Sequence, residues 1–420
     1  MTIAASEKSF LGQPRGLTVL FLTEMWEKFS FFGMRTLLVY YMTTTLLIEQ
    51  GRASIIYGVY TAVIYLTPIF GGVLADRWLG RRRSVVLGAS IMIAGHFMMA
   101  SEALFYPALA VIAIGNGLFL PSLPGQVAGL YKPDDPRRGS AYNIYYMGVN
   151  LGAFMAPLVC GAVGEIYGWH WGFALAGVGM AAGLAIYLLG GRYLPADPPR
   201  AAREEKVKGA GLERSSLMLF GGVILAVVVF RVAYEQVGNT LALWIGSDVE
   251  RSLGGWTIPM TWFQSLNPLL VFLLTPILVT AWDRSARKGR GMSSLARMAT
   301  GAALVAGAFF GLALVAMLAG QGAVHWLWLV AFFVLLTSGE LFILPVGLGL
   351  FGRLAPMQMT ATMIAAWFLA AFAGNLLAGL VGSTWSLMSP AAYFAMMGAV
   401  ASASGLGLLL LIRPFRTVEA

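Results

Sequence analysis

Charge is scarce in this chain: only 11% of its 420 residues are Asp, Glu, Lys or Arg, against 58% hydrophobic. A water-soluble exterior uses roughly 25% charged residues, so a soluble globule is excluded. Cysteine occurs once, at Cys160, which rules out an intramolecular disulfide and any thiolate cluster for zinc. The three histidines, His96, His170 and His325, lie far apart, so packing or loop roles are expected for them rather than a metal site or proton relay. GLGLFG over 347–352 fits G-x-G-x-x-G but sits in an apolar run without the preceding strand that dinucleotide binding needs, and SARK over 285–288 fits a nucleophile motif only by chance in a basic loop. No catalytic constellation is left. Neither enzyme activity, nor a metal or other cofactor, nor a nucleic-acid partner is expected.

What the chain does have is long apolar runs. Stretches of about 20 or more mostly apolar residues, bounded by charge or by Gly and Pro, predict twelve membrane helices at 17–48, 54–76, 84–105, 107–131, 140–166, 169–190, 216–246, 257–282, 294–319, 324–352, 358–384 and 389–412. With the N-terminus, the even-numbered loops and the C-terminus on one side, and Arg297 at the start of helix nine counted with them, that side carries 23 of the 28 Lys and Arg. The other side carries Arg52 and Arg251, and Lys28, Arg35 and Arg231 lie within helices. Positive loops face the cytoplasm, so both termini are expected there, in a multi-pass protein of the inner (cytoplasmic) membrane with the lipid bilayer as a partner. The first 16 residues lack the apolar core of a cleavable signal, so the first helix is expected to stay.

Gly191–Ser216 is rich in Pro, Gly and charge and reads as a linker. The expected organisation is therefore a six-helix bundle over 1–190, a cytoplasmic linker over 191–215 and a second six-helix bundle over 216–420. The halves echo each other: GGVLADRWLGRRR has a weaker counterpart in ILVTAWDRSARKGR, GLFLP in ELFILP, and GVNLGA in AGNLLA. Such weak repetition at half the chain length is what a transporter with related halves shows, and it predicts a substrate site near the bilayer midplane. Gly72–Arg83 resembles the loop between helices two and three of the major facilitator superfamily, which implies that Asp76, Arg77 and Arg81 latch the cytoplasmic face. A simpler role for Arg81, Arg82 and Arg83, as positive anchors of the inner surface, competes with that one.

Helix one poses the functional question. TEMWEKFSFFGMR over 23–35 places Glu24, Glu27, Lys28 and Arg35 inside an apolar span, where each ionised group costs roughly 2.5 to 3.5 kcal/mol at the bilayer centre. At 100° per residue these four and Phe31 share an arc of about 100°, so they line one surface. Glu24 and Lys28 are i, i+4 partners, and an internal ion pair is the plain reading. In depth, Arg35 lies 18 residues beyond Leu17, Glu235 lies 19 beyond Ser216, and Glu340 lies 13 before Arg353. At 1.5 Å per residue these steps are roughly 20 to 28 Å, which places all three groups near the midplane. Arg231 is i, i+4 from Glu235 and competes for it.

The stretch from Glu24 to Arg35 also resembles the first-helix motif E-x-x-E-R-F-x-Y-Y of the proton-dependent oligopeptide transporters. Further similarity lies in YGVYTAVIYLTPIFGGVLADRWLGRRR, YYMGVNLGAFMAPLVCG, YEQVGNTL, FQSLNPLL, GELFILPVGL and WFLAAFAGNLLAG. The resemblance implies an all-α, twelve-helix major facilitator fold and a proton-coupled symporter that imports di- and tripeptides by alternating access. It implies Arg35, Tyr60, Tyr65, Asn150, Asn267, Glu340 and Trp367 for the substrate, and Glu24, Glu27, Lys28 and Glu235 for proton coupling. Arg35 is assigned to the peptide carboxylate and Glu340 to its amino group. Aromatics that merely pack, and Asn150 or Asn267 merely bonding helix to helix, are the competing readings. Lys28 replaces the motif's arginine, and a lysine can release a proton where an arginine does not. Phe31 and Phe32 replace its tyrosines, Leu120 stands where bacterial members usually carry a lysine, and Gly58 where animal members carry a histidine. Another solute on the same scaffold, such as nitrate, a drug or a modified peptide, is the alternative, with a non-transporting receptor further off.

Overall fold

The structure, a computed structural model, describes residues 12–132, 135–197, 214–354 and 360–415. Residues 198–213, most of the expected linker, lie outside them. The chain is helical almost throughout. It begins with α1 (Arg15–Thr44), α2 (Gln50–Leu74), α3 (Arg81–Met98), α4 (Phe105–Phe119) and α5 (Pro124–Ala128). Then come α6 (Arg137–Ala156), α7 (Ala162–Tyr167), α8 (Trp169–Leu189), α9 (Arg214–Tyr234) and α10 (Thr240–Asp248). It ends with α11 (Leu266–Arg287), α12 (Ser294–Ala319), α13 (Leu327–Leu354), α14 (Thr360–Gly382) and α15 (Pro390–Ile412). Four two-residue strands form two small ladders: β1 (Val249–Glu250) runs parallel to β4 (Val324–His325), and β2 (Ser252–Leu253) antiparallel to β3 (Trp256–Thr257).

Among the described residues, ten helical segments are long and apolar enough to cross a membrane. Helices α1 and α3 bring the number to the expected twelve. Both fall outside that criterion because of charge, α1 through its buried ionisable groups and α3 through Arg81, Arg82 and Arg83 at its start. Several expected helices are interrupted. Helix four breaks between α4 and α5, where Pro121 and Pro124 remove backbone donors, and helix five carries a π turn over Pro157–Gly161 that starts at a proline. Helix seven tightens into a 3-10 turn over Glu235–Gly238, at its carboxylate, and helix two ends in a π turn over Ala75–Leu79.

The chain divides into two compact units, Met1–Leu38 with Val63–Glu205, and Val39–Ala62 with Lys206–Ala420. The ends of α1 and α2 nearest their connecting loop thus group with the second unit. Side-chain chemistry accounts for this. The Tyr40 hydroxyl donates to the Ala242 carbonyl at 2.8 Å, and the Ser54 hydroxyl to Asn239 Oδ1 at 2.9 Å. The Gln50 amide donates to the Gly382 carbonyl at 3.0 Å.

Within each unit the helices meet at small residues, because in lipid their backbones gain more from close van der Waals approach than from apolar side chains that lipid solvates equally well. In the first unit a Cβ on Gly71 would stand 2.0 Å from the Gly117 carbonyl oxygen, so α2 and α4 touch backbone to backbone. In the second, Gly301 of α12 and Gly339 of α13 meet in the same way, each Cβ position 2.5 Å from the other's carbonyl oxygen. Gly71→Ala should therefore destabilise the first unit by about 1 to 3 kcal/mol, the usual cost of overpacking. Gly72→Ala, whose Cβ would meet nothing nearer than Pro121 Cβ at 3.5 Å, should leave stability unchanged. Thermal unfolding of both variants in detergent checks the contrast.

Candidate functional site

In the first unit the site is built on α1. Glu24 and Glu27 point into protein, with exposures of 3% and 0%. Lys28 Nζ lies 2.6 Å from Glu27 Oε2 and 3.5 Å from Glu24 Oε1. The closer partner is thus the adjacent residue, and the i, i+4 pair expected from spacing is the longer contact. The Tyr145 hydroxyl of α6 donates to Glu24 Oε2 at 2.5 Å. Lys28 is thus the cation that offsets the buried Glu27 carboxylate. Two glutamates share one lysine and one phenol. Proton exchange on any member changes what holds the others.

Local sequence explains how α6 comes so near. Gly148 and Gly152 lie one turn apart on the face toward α1, and a Cβ at Gly152 would stand 2.1 Å from the Met25 carbonyl oxygen and 3.0 Å from Lys28 Cβ. Tyr145, three residues before Gly148, shares that face and so reaches Glu24. Where the motif's tyrosines are replaced, the cations lie over the phenylalanine rings instead, Lys28 at 5.9 Å from the Phe31 centroid and Arg35 at 6.0 Å from that of Phe32. Cation–π attraction uses the ring face and does not need the hydroxyl.

In the second unit Arg231 Nη1 donates to Glu235 Oε1 at 2.9 Å, both groups being buried, so the intrahelical pair forms. Glu340 of α13 accepts from Asn267 Nδ2 at 2.6 Å, and the same amide lies 3.1 Å from Thr337 Oγ1. Tyr234, Arg231 and Glu235 lie near enough to Glu340 to act on it electrostatically. Arg231, Tyr234, Glu235, Asn267 and Glu340 thus form one polar cluster. Gly301 and Gly339 set the α12–α13 contact beside Glu340 and so fix its helix in place.

The remaining expected residues are placed less centrally. Asn150 is buried and donates to the Tyr146 carbonyl of its own helix at 3.1 Å. Trp367 packs on Phe351 at 5.4 Å between ring centroids and against Gly347. Tyr60 is buried in the part of α2 that belongs to the second unit, and Tyr65 lies in the part that belongs to the first. At the turn after α2, Asp76 and Arg77 are exposed, and Arg81 donates to the Gly125 carbonyl at 2.7 Å. Sequence reasoning missed Asp197, which accepts the Arg81 backbone N–H at 3.1 Å and, more weakly, that of Arg82. It also missed Tyr145, although the Gly148–Gly152 spacing marks its helix face. His96 is buried, with Nε2 2.7 Å from Ser30 Oγ.

A model of the POT family matches residues 82–212 and 208–396. A di-/tripeptide transporter of Lactococcus lactis subsp. cremoris is 31% identical over 97% of this chain and 97% of its own length. The peptide transporter YePEPT of Yersinia enterocolitica is 31% identical over 89% and 88%. A crystal structure of a peptide transporter POT in complex with sulfate superposes with a TM-score of 0.88 at 30% identity, covering 98% of this chain and 97% of that one. The fold is the twelve-helix major facilitator fold of such transporters. Motif, architecture and whole-length similarity agree, and the chain belongs to the POT family, the proton-dependent oligopeptide transporters.

Proposed function

We propose that this protein imports di- and tripeptides together with protons, by alternating access, across the inner membrane, with both termini in the cytoplasm. One observation carries the proposal: Glu24 and Glu27 are buried in a membrane-spanning helix and share the adjoining Lys28. Groups so costly to bury are functional by default, and a shared, exchangeable charge suits coupling to protons. The relatives named for peptide transport support the choice of substrate.

A short peptide is a zwitterion whose termini lie about 7 to 10 Å apart over two or three residues, so it needs one cation, one anion and adaptable walls. Arg35 is the group proposed for its carboxylate, and Glu340, oriented by Asn267, the group for its amine. Tyr60, Tyr65, Asn150 and Trp367 are proposed as lining, and Asp76, Arg77 and Arg81 as a cytoplasmic latch. Protonation of Glu27 would loosen its hold on Lys28 and leave Glu24 as the lysine's anion. Glu235, paired with Arg231, is proposed as a second proton-linked group. A neutral peptide carrying one proton brings positive charge inward, which gains about 2.3 kcal/mol per 100 mV.

Uptake of labelled dialanine into proteoliposomes tests the proposal. Accumulation above equilibrium with an inward proton gradient, and only equilibration without one, is expected; indifference to the gradient would count against it. In the same vesicles Glu27→Gln should abolish most gradient-driven accumulation while sparing peptide exchange, which need not release the proton. Arg35→Ala should weaken free peptides more than analogues blocked at the C-terminus, and Glu340→Ala should blunt the preference for a free amino group. Competition assays with blocked analogues read both effects, and equal losses across all analogues would refute that division of roles. Tyr145→Phe removes the donor to Glu24 and should cost about 1.5 to 3 kcal/mol of stability, the range for a hydrogen bond to a charged group. It should also move the pH profile of uptake, whereas Tyr142→Phe, at an exposed position on the same helix, should do neither.

A further inference from the structure

A groove of about 480 Å³ runs along the outer surface of the first unit, between α3 and the end of α8. Its two ends differ in chemistry. Toward the membrane it is lined by Val86 and Leu87 of α3 and by Leu188 of α8. Leu87 and Leu188 are 43% and 56% exposed, and leucines left open on membrane-spanning helices meet acyl chains. Toward the arginine-rich surface the lining is Arg82 and Arg83, with Tyr187 at the back. Arg82 is held in place by its guanidinium bond to the Gly191 carbonyl, while Arg83 is exposed. Close by, the Asp197 carboxylate already accepts the backbone N–H groups of Arg81 and Arg82.

We propose that this groove binds one anionic glycerophospholipid, with its phosphate at Arg82 and Arg83 and an acyl chain along Val86, Leu87 and Leu188. The charge favours a lipid of net negative charge, because among the described residues the groove is lined by two arginines and by no acid that could receive a choline or ethanolamine. The shape favours a lipid over a free anion, because the apolar wall begins one turn from the arginines. Arg83 to Ser90 is seven residues, about 10 Å of helix, which fits within one leaflet of roughly 15 Å. An occupant there would brace the start of α3, directly after the turn that carries Asp76 and Arg77.

Native mass spectrometry of delipidated protein titrated with phosphatidylglycerol, phosphatidylcholine or inorganic phosphate tests the site. The protein should retain one phosphatidylglycerol in preference to phosphatidylcholine. Arg83→Gln should weaken phosphatidylglycerol about 5-fold, the usual worth of one surface cation, with Arg83→Glu weaker still and Arg83→Lys close to wild type. Leu87→Asn should weaken it too, through the chain. Arg287→Gln, an exposed arginine at the end of α11, should have no effect. Equal retention of the two lipids, or equal losses for Arg83→Gln and Arg287→Gln, would overturn the proposal. Displacement of phosphatidylglycerol by millimolar inorganic phosphate would also overturn it, in favour of a free-anion site.

Discussion

A charge within a bilayer has no water to fall back on, and the buried charged groups of α1, α9 and α13 are arranged around that fact. Lys28 is tolerable because Glu24 and Glu27 surround it, and Glu24 because Tyr145 also donates to it. Arg231 and Glu235 neutralise each other, and Asn267 satisfies Glu340. Removing one partner from such a buried pair leaves the other stranded, typically a loss of about 3 to 5 kcal/mol. Each group is therefore fixed by its partners, and a proton arriving at one of them redistributes the rest.

Those partners have to be brought within reach, and the helices do so with glycine and with breaks. Gly152 lets α6 lie against the backbone of α1 beside Lys28, and Gly301 and Gly339 do the same for α12 and α13 beside Glu340. The 3-10 turn at Glu235–Gly238 interrupts helix seven just where its carboxylate pairs. It also leads into a second polar cluster, where Gln236 donates to the Ala378 carbonyl at 3.0 Å, accepts from Thr240, and neighbours Asn239. That cluster ties α2 to the later chain through Ser54 and Gln50, and it explains why Val39–Ala62 groups with the second unit.

Much of this was legible in the residues. Hydropathy located the twelve spans because a bilayer imposes a minimum apolar length, and the charged stripe of α1 stood out because few sequences carry such groups there. The Arg231–Glu235 pair followed from spacing alone. What spacing cannot give is contact between elements distant in sequence. Tyr145, Asp197 and the Gln50–Ser54–Asn239 bonds depend on which helix faces which, and an isolated Tyr or Asn carries no mark of its partner. The preference of Lys28 for Glu27 over Glu24 was hidden for a related reason, since side-chain rotamers, not helical spacing, decide between two carboxylates on one face. Helix limits slipped where prolines and π turns broke a run that hydropathy reads as continuous.

The central claim is that the buried carboxylates exchange protons in step with substrate. Proteoliposomes loaded with a pH-sensitive dye and energised by a membrane potential, negative inside, measure this directly. Addition of external dialanine should acidify the lumen at a rate proportional to peptide entry, and a non-transported analogue should give no signal. Peptide entry without lumenal acidification would contradict the account.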